Sequence, residues 1–188
     1  MHHFIINTGA KQLSLIDKVL SRRSIRAYSE EKIPSNVLNK ILEAGRQAPS
    51  AGNRQPWHFI VITDEEIKEK LSWGRVNWFI KDAPLTIVGC ANTATGNWSV
   101  VDTTIALQNM VIAAWTMGVG SCWLGAFKEN EVKNLLKIPE GWKVVALITF
   151  GYPAEGENRF PANFQEMRER LTKKKPIEEI TGYNKFQR

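Results

Sequence analysis

Arg22-Arg23-Ser24-Ile25-Arg26 and, one helix further on, Pro49-Ser50-Ala51-Gly52-Asn53-Arg54-Gln55-Pro56-Trp57 are the two stretches from which the rest of the chain can be read. The first places three guanidiniums and a hydroxyl within five residues. Arginine's planar fork suits phosphate, and Ser24 adds a small donor that fits between the forks. The second is a run of turn formers carrying two side-chain amides, Asn53 and Gln55. An amide donates and accepts at once, which matches a heterocycle edge presenting both kinds of group. An anionic tail joined to a hydrogen-bonding ring describes a nucleotide or a flavin.

Working outward, Leu13, Ile16, Val19 and Leu20 recur at helical spacing, so the basic cluster lies at or just beyond a helix end. Cations there suit the carbonyl end of the dipole, which accounts for Arg22 and Arg23 but not for Ser24 and Arg26. A second helix is expected from Ser35 as N-cap, with Val37, Leu38, Ile41, Leu42 and Gly45 on one face. It must end by Ala48, because the residue before a proline avoids the helical region. The Pro49 to Pro56 loop is thereby held between a helix and a strand, Trp57 to Thr63, a normal place for a binding site. Thr63-Asp64-Glu65-Glu66 has capping-box spacing for a short helix through Ile67 and Leu71. Trp73 to Asp82 reads as a loop over the site, with Trp73, Trp78 and Phe79 as lids.

Leu85 to Ala91 is a short apolar run after Pro84, expected as a buried strand. Val100 to Met117 is apolar nearly all round; as a helix in a chain this small, such burial suggests a second subunit. Gly118 and Gly120 close it. A strand over Ser121 to Phe127, a helix near Glu131 to Leu136 and a core strand from Trp142 to Phe150 complete the pattern. Helices and strands interleave without strict βαβ alternation, which favours an α+β fold.

The 188 residues, 43% hydrophobic and 23% charged, are expected to form one ordinary globular domain over 1–188. No apolar run reaches membrane-spanning length, and Met1 to Ala10 lacks the pattern of a signal peptide, so a cytoplasmic location is expected. Cys90 and Cys122 sit in apolar runs and read as buried thiols. The net charge of +6 is scattered outside Arg22 to Arg26 and Lys173 to Lys175, with no aromatic-basic repeat, so nucleic acid is not expected as a partner. No His/Cys/Asp cluster has metal spacing. His58 in its strand, and Asp102 and Gln108 on the long helix, read as structural.

A third motif, Gly120-Ser121-Cys122-Trp123-Leu124-Gly125-Ala126-Phe127, follows the first two in order. Together with Arg22 to Tyr28 and Ala48 to Trp57, it resembles the nitroreductase family of FMN-dependent oxidoreductases, from about Leu13 to Pro153. The resemblance implies a central, mostly antiparallel sheet flanked by helices in an intertwined homodimer. It assigns Arg22, Arg23, Ser24 and Arg26 to the FMN phosphate, ribityl chain and pyrimidine edge. Pro49, Ser50, Ala51 and Asn53 would lie along the ring, with Asn53 and Gln55 acting on the other subunit's flavin. Leu124 and Gly125 would cover the ring, an amide there facing flavin N5; no side chain is assigned as a catalytic acid or base. Gly125 allows the close backbone approach that a Cβ could obstruct.

The tail departs from the family, which usually reaches a basic pair soon after Gly151-Tyr152-Pro153. Here 154–172 intervenes, read as a lid over the pocket or a segment wrapping the partner. Lys173 to Lys175 follow, Lys174 being the expected phosphate contact. The activity implied takes hydride from NADH or NADPH and reduces nitroaromatic, quinone or related acceptors, both using one pocket in turn. The alternatives are a flavin-handling protein without nitroreduction, such as dehalogenating relatives, and a basic non-flavin module.

Overall fold

Burial decides the strand order. In the computed structural model, which describes residues 14–74, 77–154 and 173–186, β2 (Leu85–Asn92) is buried over nearly its whole length and β4 (Trp142–Gly151) over its second half. Strands covered on both faces read as continuous apolar runs and occupy the centre of a sheet. β1 (Trp57–Ile62) and β3 (Gly120–Leu124) take the edges, giving the order β1-β2-β4-β3 with every pairing antiparallel. The described residues belong to two units, 1–157 and 158–188.

In the first unit α4 (Ser99–Thr116) lies on one face of the sheet. Its Leu107, Met110, Val111 and Ala114 pack with Ile41 of α2 (Ser35–Arg46) and with Ile87, Ile148 and Phe150 of the strands. Each such buried side chain contributes about 1.5–3 kcal/mol. Two glycines permit the approach: a Cβ on Gly45 would collide with Met110, and one on Gly89 would lie 2.5 Å from Leu107 Cδ1. The sheet bulges between Gly89 and Cys90. The opposite face is covered by α3 (Glu65–Leu71), α5 (Glu129–Leu136) and a 3-10 turn, Trp78–Ile80, through Leu71, Val132, Phe79 and Ile80.

The α+β expectation is met, and several boundaries move for local reasons. Pro34, not Ser35, is the N-cap of α2, consistent with proline's preset φ. Asp64 caps α3 by accepting from Ile67 N at 2.9 Å, displacing Thr63 from that role. α5 begins at Glu129, whose carboxylate accepts from Val144 N at 3.0 Å. β3 stops at Leu124, which leaves Gly125 to Phe127 outside the sheet. Phe79 is no lid: it is 2% exposed, in the core.

α1 (Leu15–Ser21) is closed by a Ser14–Asp17 capping box, yet Leu15, Ile16, Val19 and Leu20 are exposed, Leu20 at 76%. Leu13 and the 154–172 segment, apart from Ala154, lie outside the described residues. In the second unit Lys173 to Pro176 is extended and exposed, leading to a 3-10 turn, Ile177–Glu179. Among the described residues no helix is long and apolar enough to cross a membrane, and no cluster of His, Cys, Asp or Glu could hold a metal.

Gly89→Ala should lower unfolding free energy by about 1–3 kcal/mol through overpacking against Leu107. Urea titration checks this, and the loss should shrink in a Leu107→Val background.

Candidate cofactor site

The arginine run becomes a strand-like strip along β3. Ser24 forms a parallel bridge with Ser121, and Ile25 N donates to Ser121 O at 2.9 Å. Ile25 is 3% exposed and occupies the space beside Gly120, where a Cβ would lie 2.5 Å from its Cγ1. Further on, Tyr28 bridges Pro153, Ser29 N donates to Tyr152 O, and Ala154 N donates to Ala27 O. The Tyr28 hydroxyl donates to Ile25 O at 2.6 Å; its single proton used, it accepts from Thr149 Oγ1 at 2.7 Å. The strip is fixed at both ends and across its middle.

This anchoring buries Ile25 and Ala27 and leaves Arg22 and Arg26 half-buried, with Ser24 and Arg23 exposed. Arg22, Ser24 and Arg26 converge on the buried Cys122. Burial pushes that thiol's pKa up, while Arg26, the Ser24 hydroxyl and Arg22 each oppose the rise. The parallel bridge also fixes direction. At Ser24 the run is parallel to β3, and at Ala27 to Ser29 it lies beside 152–154, past the Gly120–Gly151 pair. Arg26 additionally stands over the Phe79 ring, 5.9 Å from its centroid, a cation–π distance.

Leu124 is buried and Gly125 exposed. Glycine is usually required by a positive φ or by a crowded Cβ. Gly125 shows neither: it is not among the positive-φ glycines, and an added Cβ would meet no protein atom within 4 Å. Sequence reading missed a neighbour, Asn77. It is 1% exposed and donates through Nδ2 to Ala126 O at 2.8 Å, while its Oδ1 has no hydrogen-bond partner among the described residues. A buried amide oxygen without a donor costs about 1–3 kcal/mol. Only its place among the aromatics of 73–82 could have signalled it.

The second motif forms a strained turn. Gly52, Asn53 and Gln55 have φ of 60°, 54° and 48°. Ala51 N donates to Asp102 Oδ2 at 3.1 Å, Gln55 N to Ser50 Oγ at 3.0 Å, and Gln55 Nε2 to Asn53 Oδ1 at 3.2 Å. Asp102 is 5% exposed, and Gln108 accepts from Trp123 Nε1 at 3.2 Å, so both have the structural partners expected of them. Pro49, Asn53 and Gln55 are exposed; Ser50 and Ala51 are half-buried.

Within one chain the loop and the arginine strip are not brought together. The loop enters β1 and Gly125 leaves β3, at the same end of the sheet but on opposite edges. Three strand spacings, about 14 Å, separate them. Lys174 lies in the second unit, exposed.

These features describe an α+β protein with a cation-bearing run beside the edge strand β3 and an open glycine just past that strand's end. The family model described as the Nitroreductase family matches residues 19–73 and 75–152. A candidate NADH dehydrogenase/NAD(P)H nitroreductase of Archaeoglobus fulgidus is 36% identical over 166 residues, 84% of this chain and 95% of that protein. An NAD(P)H-linked FMN reductase of Bacillus subtilis is 30% identical, over 81% of this chain and 71% of that protein. The solved structure of an FMN-dependent nitroreductase from Clostridium difficile is similar with a TM-score of 0.75 and 28% identity, over 91% of this chain and 99% of that one. The chain belongs to the nitroreductase family and is an oxidoreductase of that family.

Tyr28→Phe should cost about 1–3 kcal/mol, since it leaves the Ile25 carbonyl short of its donor. Burial raises the pKa of Tyr28 and Cys122, and lifts Cys90 from 9.0 to about 11, Glu129 adding to the rise and Lys133 opposing it. The folded state therefore binds these protons more tightly than the unfolded chain. Their stabilisation is complete below about pH 9 and is lost as pH rises through the folded values. The urea midpoint should fall from about pH 9 to 11, and fall less steeply in Tyr28→Phe.

Proposed function

We propose that the protein is a homodimeric, FMN-dependent oxidoreductase that takes hydride from NADH or NADPH and reduces nitroaromatic, quinone or related acceptors. The observation that carries this reading is Gly125, whose glycine is demanded neither by its φ nor by any protein neighbour. A planar group lying over it accounts for the choice, since a Cβ there would intrude on that group alone. The unpartnered Oδ1 of Asn77 fits the same explanation, because a ring N–H or a trapped water would complete it. When bound, FMN supplies the redox centre that accepts the hydride and passes electrons on.

The chain's own residues do the binding and orienting. Arg22, Arg23 and Ser24 would hold the phosphate. From Ser121 to Gly125 the strand advances about 13 Å, room for the ribityl chain between phosphate and ring. Arg26, which stands over the Phe79 ring, would offset negative charge at the pyrimidine edge. The Gly125 backbone amide is assigned to N5, and Leu124 lies beneath it. Lys174 would complete the phosphate contacts, and 154–172 would cover the pocket or wrap the partner.

Dimerisation follows from two features. The exposed apolar side chains of α1, with Trp98, Val101 and Ile105 at the start of α4, would be covered by a second copy. The loop of one copy, with Pro49, Ser50, Ala51, Asn53 and Gln55, would reach the flavin of the other. Donor and acceptor would then occupy one pocket in turn.

Absorbance of the purified protein, before and after anaerobic NADH or NADPH, tests the reading. Flavin bands that bleach support it, and the absence of bands after adding FMN overturns it. Arg26→Ala should weaken FMN binding about tenfold or more and make the flavin potential more negative, measured by equilibrium titration and dye-coupled reduction. Initial-rate lines should run parallel for donor and acceptor.

A further inference from the structure

The sheet face opposite α4 carries a second cavity, at the β1 edge and apart from the arginine strip. His58 and Cys90 are direct cross-strand partners there, so their side chains share that face. The cavity holds about 250 Å³, just below the usual range for small-molecule sites and suited to a single ring. Its walls are Ile60, Leu136, Ile138, Pro139 and Trp142. Trp142 meets His58 edge-on, with centroids 5.9 Å apart at 72°, forming an aromatic corner.

We propose that this cavity binds a small aromatic carboxylate. The apolar walls and the aromatic corner take the ring. The polar lining is His58, Cys90 and Lys137, with no aspartate or glutamate among the described residues that line it. The thiol at the floor stays neutral, since burial lifts it to about 11. The nearby Glu129 is engaged with Val144 N and with Lys133. The cationic residue of the lining is therefore Lys137.

Lys137 is also the conformational outlier of this region. It is the C-cap of α5 in the left-handed region, φ 54° and ψ 39°, a position glycine normally fills. A lysine there strains the backbone at a residue that lines the cavity. Cap geometry alone would be better served by glycine, so the side chain answers to something else.

The test uses 4-fluorobenzoate with the FMN-loaded protein, followed by ¹⁹F line broadening. Wild type should broaden the signal at millimolar ligand or below. Ile138→Trp, which fills the cavity, should abolish the effect. Lys137→Gly should weaken binding about fivefold or more while raising the melting temperature by about 2–4 °C, separating ligand contact from cap strain. Uncharged 4-fluorobenzyl alcohol should bind about fivefold or more weakly than the carboxylate. Binding unchanged in both variants, the result if benzoate lies only against the flavin, overturns the proposal. So does the absence of broadening at about 10 mM.

Discussion

The contact on which the candidate site depends is that between Ile25 and Gly120. Only a residue without a Cβ lets a branched aliphatic side chain lie against the first residue of β3, and that closeness places Ile25 N on the Ser121 carbonyl. Once Ile25 is buried, the alternation of a strand-like segment decides the rest. Ala27 turns in, while Ser24 and Arg26 turn towards the other side, where Cys122 registers them. The arginines are gathered by the anchoring of their apolar neighbours, through burial of Ile25 and the Tyr28 hydroxyl network.

The same logic explains what could and could not be read in the sequence. Central strands and the long helix were legible because continuous apolar runs leave few other solutions, and the arginine strip because three guanidiniums in five residues are rarely accidental. The end of β3 was not legible. Beyond it Val144 N is taken by the Glu129 carboxylate, a contact between residues fifteen apart that no local pattern encodes. Phe79 was misread as a lid because an aromatic among polar residues looks exposed until a 3-10 turn is seen to fold it under the sheet. Asn77 carried no periodic or motif signal, since its role comes from a partner, Ala126, across the fold.

Gly125 shows how a glycine becomes informative only with coordinates. The sequence reading of Gly125 as a residue that allows close backbone approach predicts particular surroundings for it. Gly45, Gly89 and Gly120 each stand against a side chain that a Cβ would strike, so packing explains them. Gly52 and Gly141 have positive φ, so backbone geometry explains those. Gly125 has neither reason among the described residues, and it directly follows the strand that the arginine run bridges; the proposed flavin would supply the missing reason.

Helix α4 ties the loop to the proposed association surface. Asp102 points inward and holds Ala51 N, while Val101 and Ile105, one turn apart, are exposed on the next stripe of the helix. The turn beyond Ala51 stores strain in Asn53 and Gln55, which persists because Asp102 and Ser50 over-determine it. Asn53 and Gln55 are exposed, left-handed amide residues held at a cost, on the sheet edge opposite Gly125 and about 14 Å from it. If a second chain packs on the Val101 and Ile105 stripe, as proposed, α4 sets both the subunit contact and the reach of the loop.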